Sequence, residues 1–300
     1  MSKLDVSVIL VGLNTRQFVK NCIESLLASD WGQYSYEIVY VDNGSKDDSV
    51  AMVRRHFPDV VVIANETNRH FCPAGNQAAR AAKGRYLFHL NNDTVVEPDA
   101  VPMLVRFLDT HPEAAAVGCR LLNPDGSDQW SARRFPEWYN GLLGRRSLLS
   151  KWFPESGIVK SYLYKDEMSS GQPFRVDWTP TVAMLIREED YWAVGGVPED
   201  LYYWHEAVFC FRLSQRGRET WVAPAARIWH YEGHGGGVRT YAVRQWHIRN
   251  FSHGAYRLHC ERYGLKAWDP SSILTALSLR ARATVQLALL WLSARGGKTA

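Results

Sequence analysis

A chain of 300 residues with 46% hydrophobic side chains can bury one large core, and 12 tryptophans and 14 tyrosines exclude a disordered segment. The formal charge of +4 comes from Arg280, Arg282, Arg295 and Lys298, the only charged side chains after Asp269, so residues 1–269 sum to zero and no basic face for nucleic acid is expected. Five scattered cysteines (Cys22, Cys72, Cys119, Cys210, Cys260) with no C-x-x-C spacing argue against a disulfide framework or zinc site and for a reducing compartment.

Residues 1–5 lead straight into a strand pattern without a signal peptide, so a cytoplasmic chain is expected. A β-branched run predicts a strand at 6–11, and 18–27 places Phe18, Cys22, Ile23, Leu26 and Leu27 at helical spacing. A second strand is expected at 37–41, ended by Asp42-Asn43-Gly44-Ser45, a turn signal that also opens a helix through 50–56. Then follow a strand at 60–64, an Ala-rich helix at 73–82, and a strand at 86–90 closing on Asn91-Asn92-Asp93. A helix at 99–111 and a strand at 115–121 complete the series. Such alternation predicts an α/β fold, with a mostly parallel sheet flanked by helices on both faces. Ligands of such sheets sit at the strands' carboxyl ends, which directs attention to Asn14, Asp42, the loop after Asn65, and 91–93.

Over 123–175 the pattern weakens into a mixture of Gly, Pro, Ser, aromatics, Arg133, Arg134, Arg145 and Arg146. Order returns with a strand at 181–186, a short helix at 188–194 ended by Gly195-Gly196, and a helix at 205–216 ended by Gly217. Short strands are expected at 220–222 and 227–230, then a glycine-rich loop at 233–237 and a long amphipathic helix at 239–263. Residues 273–292 are apolar except for Arg280, Arg282, Gln286 and small polar residues. Two central arginines disfavour a bilayer span, so an in-plane helix with arginines toward lipid headgroups is the better reading. The plainer alternative is a helix packed on the protein or on a partner subunit of a homo-oligomer. The expected organisation is one domain over 1–265, with halves 1–122 and 123–265, and a basic helix and tail over 266–300.

Asp42 ends its strand, where a carboxylate can accept hydrogen bonds from a pyrimidine imide and ribose hydroxyls; locally, Asp-Asn-Gly-Ser is more often a capped turn. Asn91-Asn92-Asp93-Thr94 follows a second apolar strand. One carboxylate with a neighbouring amide can hold Mg2+ or Mn2+ when a diphosphate supplies the other oxygens, although an isolated N-x-D is also a common turn.

Taken in order, Val6-Ser7-Val8-Ile9-Leu10, Val41-Asp42-Asn43-Gly44-Ser45, the 68–77 loop and Asn91-Asn92-Asp93-Thr94 resemble glycosyltransferase family two, especially its rhamnosyltransferase-like members. Leu121-Leu122-Asn123-Pro124-Asp125-Gly126, Val176-Asp177-Trp178, Met184-Leu185-Ile186-Arg187 and Val194-Gly195-Gly196 extend the resemblance over roughly residues 5–260. The resemblance implies a GT-A (Rossmann-like) fold with a C-terminal helical extension, a dTDP- or UDP-linked sugar donor, and a glycan or glycolipid acceptor. It implies Asp42 and Asn14 on the nucleoside, Arg69 and Asn76 near the diphosphate or sugar, and Trp178 and His205 near the substrates. Asp93 matches the second acid of the family's D-x-D element, beside Asn91 and Asn92, and with His230 would hold the divalent metal.

Glu206, in His205-Glu206-Ala207-Val208, stands at the family's catalytic-base position, where an aspartate is usual, and Val208 replaces a later acid. Glutamate keeps the chemistry with one more methylene. His205 is the alternative base, and a helix-dipole acid is the plain reading of Glu206. The implied reaction is inverting transfer, with acceptor recognition expected within 125–180. Two rivals are a sugar-nucleotide-binding protein without turnover and a sugar nucleotidyltransferase. The second is disfavoured because 8–14 lacks a glycine-rich basic loop.

Overall fold

Alternation of apolar side chains along the strands builds two cores, one on each face of a single sheet. The computed structural model describes residues 3–135, 152–153, 155–231 and 240–296; Arg145, Arg146 and the glycine run at 233–237 lie outside the described residues. The strands are β1 (Leu4–Gly12), β2 (Tyr36–Asp42), β3 (Val61–Ala64), β4 (Gly84–Asn91), β5 (Thr94–Val96), β6 (Ala114–Leu122), β7 (Phe174–Val176), β8 (Ala183–Arg187) and β9 (Glu219–His230). They join in the order β3-β2-β1-β4-β8-β6-β9-β5, with β7 added on β9.

On one face Val8, Leu10, Tyr40, Phe88 and Leu185 meet α1 (Arg16–Leu27), α2 (Ser49–His56) and α4 (Ala100–Thr110). On the other, Ile9, Val39, Val41, Leu87 and Met184 meet α3 (Phe71–Ala81), then α5 (Gly157–Leu163) and α6 (Lys165–Ser170) follow in the chain without joining this core. That second core is completed by α7 (Glu188–Ala193), α8 (His205–Gln215) and α9 (Tyr241–Tyr263), and α10 (Pro270–Gly296) packs on α9. Burial on both faces is why these strands read as near-continuous apolar runs.

The sheet is parallel through β3-β2-β1-β4 and again between β6 and β9, but β8 runs antiparallel to both β4 and β6. Most of its register is parallel, as expected, and the antiparallel part is β8 between β4 and β6 with β5 and β7 on β9. Apolar patterning specifies a strand but not its direction, and β8 starts at the edge where β4 ends, Leu90 facing Ala183.

The two short strands expected around 220 and 230 are one strand, β9, whose register against β6 jumps from Ala223 to Arg227. Pro224, which has no N–H to donate, lies in that jump. The irregular stretch contains α5, α6 and β7, elements too short to show a period. As for α9, its side chains are half-buried nearly all round, because it is sandwiched between α8 and α10, so it is not the two-faced helix expected.

Candidate active site

The ends of β1, β2, β4, β6 and β9 and the start of β8 lie along one edge of the sheet, and all the polar turns singled out above meet there. Gly12 faces Asp42 across β1 and β2. A Cβ at Gly12 would stand 2.6 Å from the Tyr40 hydroxyl and 2.7 Å from Asn92 Nδ2, so only glycine fits. Asp42 is 1% exposed; its Oδ1 accepts the N–H groups of Gly44 (3.0 Å) and Ser45 (2.8 Å), and its Oδ2 accepts the Tyr40 hydroxyl (2.9 Å). Burial, with the Asp42 charge beside it, pushes the Tyr40 phenol well above its ordinary pKa. Asn14, at φ 53°, accepts Lys46 N–H (2.8 Å) on its side chain and donates its own N–H to Ser45 Oγ (2.8 Å). Residues 12–15 and 42–46 therefore form one cradle, with Asp42 beneath its surface as the group that shapes it.

The 91–94 turn is tied to this cradle by Asn92 Nδ2, which donates to Thr15 Oγ1 at 2.7 Å, and to β8 by Asn91 N–H, which donates to the Val182 carbonyl at 2.8 Å. Thr94 faces His230 across β5 and β9, and this register sets Asp93 Oδ1 3.3 Å from His230 Nε2. Both side chains are nearly buried. Gln129 fixes the imidazole: its Nε2 donates to the His230 carbonyl and its Oε1 receives Nδ1–H, both at 2.8 Å. With Nδ1–H donated to Gln129, Nε2 is the ring atom that faces the carboxylate oxygen and can offer a lone pair to a cation there. Two electron-pair donors so placed call for a proton or a cation between them. Adjacent ligands of an octahedral cation bound at about 2.1 Å stand roughly 3 Å apart, so this oxygen–nitrogen pair fits Mg2+ or Mn2+. Among the described residues no third His, Cys, Asp or Glu joins it, so further ligands would come from substrate or water.

The third component is the start of α8. Thr181, next to the Val182 carbonyl that holds Asn91, has its Oγ1 3.0 Å from His205 Nε2, which brings α8 to the same edge as Asp93. His205 Nδ1 lies 3.1 Å from Glu206 Oε2 and 3.2 Å from the Tyr202 carbonyl. Glu206 Oε2 is buried and has this ion pair but no hydrogen bond. Burial opposes charge on His205, but the Glu206 carboxylate, with Cys72 and the Tyr202 carbonyl, outweighs it and raises the imidazole pKa to about 10. Protonation of His205 is thus favoured, which weights the base role toward Glu206. Neither α3 nor α8 has a side-chain cap, and the rings of Phe71 and His205, on their first residues, lie 5.6 Å apart.

Two expected site residues are not at this edge. Asn76 is 1% exposed, and its amide is saturated: it donates to the Val197 carbonyl and Glu199 Oε1 and accepts from Tyr191 Oη and Val197 N–H. It locks α3 to the loop after α7 and has nothing left for a ligand. Trp178 is 4% exposed, donates to the Arg134 carbonyl (2.9 Å), carries the Arg133 guanidinium 4.8 Å over its ring, and lies 6.0 Å from Trp204. It supports the loop before α8 from behind. Arg69 is exposed just before α3.

Gln129, Thr15 and Thr181 were not singled out in the sequence. Gln129 lies in the irregular stretch, and its partner is 101 residues away, so no local pattern marks it. A separate pocket of about 270 Å³, lined by Lys3, Arg85, Tyr86, Arg187, Glu188 and Glu189, lies at the opposite end of the sheet. Its charges are used internally: Lys3 pairs with Glu188, Arg85 with Asp5 and Asp109, and Arg187 donates to the carbonyls of Leu108 and Ala114.

A family model described as glycosyl transferase family 2 matches residues 7–171. The N-acetylglucosaminyl-diphospho-decaprenol L-rhamnosyltransferase of Mycobacterium tuberculosis is 25% identical over 212 residues, 67% of this chain and 68% of that protein. The O-antigen biosynthesis protein RfbC of Myxococcus xanthus is 25% identical over 284 residues, 90% of this chain and 20% of that one. Among solved structures, the mannosyltransferase PcManGT from Pyrobaculum calidifontis, in complex with GDP-Man and Mn2+, superposes with a TM-score of 0.58 at 18% identity, over 99% of this chain and 81% of that one. GalNAc-T7 with UDP, GalNAc and Mn2+ gives a TM-score of 0.59 at 18% identity, over 94% of this chain and 55% of its own. The fold is that of these GT-A enzymes.

Proposed function

The chain belongs to glycosyl transferase family 2 and is a glycosyltransferase, and from that premise we propose an inverting, cation-assisted transfer from a nucleoside-diphosphate sugar, dTDP- or UDP-linked, to a hydroxyl of a glycan or glycolipid. The observation that carries this reading is the Asp93–His230 pair, two electron-pair donors held 3.3 Å apart by Gln129. A divalent cation bound there would offset charge on the departing diphosphate. The cradle of Asn14, Ser45 and Lys46, shaped by Asp42, receives the nucleoside. The uncapped N-termini of α3 and α8 favour negative charge between them, and Arg69 adds a cation beside the first. Glu206 takes the proton of the attacking hydroxyl, and His205, 3.1 Å away, positions it for that step.

The acceptor reading extends to α10. Pro270–Ser293 is long and apolar enough to cross a membrane, with mean hydropathy 1.3 over an 18-residue window that has no buried residue. Its outer face carries Ile273, Leu274, Leu277, Val285, Leu289 and Leu292, whereas Arg282 turns inward, 4.4 Å over Phe251 of α9. Of the two arginines expected to face headgroups, Arg280 is exposed and Arg282 instead packs on α9, beside half-buried Leu279, Gln286 and Leu290. The apolar outer face suits insertion at the inner surface of a membrane bearing a lipid-linked acceptor, the kind of substrate named for the M. tuberculosis relative.

Calorimetry of nucleoside diphosphate binding tests the core of the reading. Asp93→Ala should abolish the Mn2+-dependent part of the affinity for UDP or dTDP, and an unchanged affinity refutes the metal role.

A further inference from the structure

His70 has φ 65° and ψ 174°, a region that only glycine enters without strain. It is held there by Asn43 Nδ2 donating to its carbonyl (3.2 Å), by its own N–H donating to Asn68 Oδ1 (2.8 Å), and by Ala74 N–H on the same carbonyl (3.3 Å). A strained residue with a large side chain invites the question of what that side chain does. The exposed His70 ring stacks on Trp246 of α9, with centroids 5.5 Å apart and planes 17° apart, and meets Tyr202 edge-on at 6.3 Å. Tyr202 and Trp246, both half-buried, lie 4.5 Å apart at 73°. Three rings from three separate segments thus make one open aromatic corner.

Two features place this corner beside the proposed chemistry. The Tyr202 carbonyl lies 3.2 Å from His205 Nδ1, so the corner begins one turn before Glu206. Farther along α9, Gly254 lets the helix sit directly on the 202–204 loop, since a Cβ there would stand 2.2 Å from the Tyr203 carbonyl. The helix is seated against that loop by design of the sequence, and Trp246 is carried into position two turns earlier.

We propose that His70, Tyr202 and Trp246 form the subsite for the acceptor's sugar ring, a pyranose whose C–H face packs on the aromatic faces while its hydroxyl edge is turned to Glu206. The inference rests on the reading of Glu206 as base. It moves acceptor recognition out of the 125–180 stretch, where it was expected, into the segments that flank α8. The cradle and the Asp93–His230 pair already account for the donor, whereas these rings come from the loop leading into the base and from α9.

Saturation-transfer NMR on the full chain tests the subsite, using methyl gluco-, galacto-, manno- and rhamnopyranosides. Spectra are recorded alone and with Mn2+ plus whichever of UDP, dTDP or GDP raises the melting temperature. Wild type should transfer saturation to the ring C–H protons of at least one glycoside. Trp246→Ala and His70→Gly should each cut that transfer by about fivefold or more, the size expected for losing one aromatic face, while the nucleotide-induced melting shift stays. His70→Gly should also melt no lower than wild type, because glycine accepts the backbone freely, so its loss of signal cannot be blamed on unfolding. The subsite is overturned if no glycoside contacts the wild type, if the signal survives both substitutions, or if the nucleotide shift vanishes with it. A wild type without any nucleotide shift counts against the donor reading, and the glycoside arm run alone still decides the subsite.

Discussion

Two acid–imidazole pairs stand at the same edge of the sheet, Asp93 with His230 at 3.3 Å and Glu206 with His205 at 3.1 Å, yet they are built for different work. In the first, the Oε1 of a buried glutamine accepts Nδ1–H and turns Nε2 toward the carboxylate. In the second, Glu206 and the Tyr202 carbonyl at Nδ1, together with Cys72, favour the protonated imidazole, and Thr181 Oγ1 lies 3.0 Å from Nε2. In the proposed reaction the first pair serves the cation and the second positions the base. The neighbours of the imidazole, not the pair itself, decide its chemistry.

The comparison breaks most visibly at Glu206. Glu206→Gln keeps the shape and the first-turn position but cannot accept a proton, so turnover should fall by about 10²–10⁴-fold while nucleoside diphosphate affinity holds. A variant with wild-type turnover would reduce Glu206 to a helix-terminal acid. Next in size is Gln129→Leu, which leaves both members of the first pair in place and removes only the group that sets the tautomer. Apparent Mn2+ affinity, titrated in the presence of UDP, should drop by roughly 10–100-fold. Unchanged titration curves would show that His230 faces Asp93 without help.

How much of this was legible in the residues follows from the range of the interactions. β1, β2, β4 and their helices are buried on both faces, so their apolar runs announced them, and Asp42 and 91–93 could be located at strand ends before any coordinates. The direction of β8, the fusion of 220–230 into one strand, and the helices within the irregular stretch depend on where a connection enters the sheet, which composition does not record. The same limit applies within the site. Asp93 and Glu206 sit on local motifs, but Gln129 matters only because β5 pairs with β9. Asn76 failed in the opposite sense: its motif is local, yet its amide is consumed by a loop more than 100 residues away. His70 and Trp246 meet across 176 positions, the difference of their numbers, and nothing in either neighbourhood announces the other.

The smallest effect is read in melting temperature, and it separates the charged histidine of the second pair from a neutral one nearby. His205 has its pKa raised from 6.5 to about 10, so the fold holds a proton that the unfolded chain releases. Its contribution to stability is complete below pH 6.5 and is lost as pH rises toward 10. His89, wholly buried in β4 and stacked on Tyr191 at 5.2 Å, has neither ring nitrogen hydrogen-bonded. Burial, with His205 adding repulsion, depresses its pKa to about 3, so stability is lost instead as pH falls from 6.5 toward 3. Melting curves across pH 4–10 should therefore show His205→Gln flattening the alkaline limb most, with a smaller effect on the acid limb, and His89→Phe, which keeps the ring stack, flattening the acid limb. If His205→Gln leaves the alkaline limb as steep as in wild type, the fold does not hold that proton on His205.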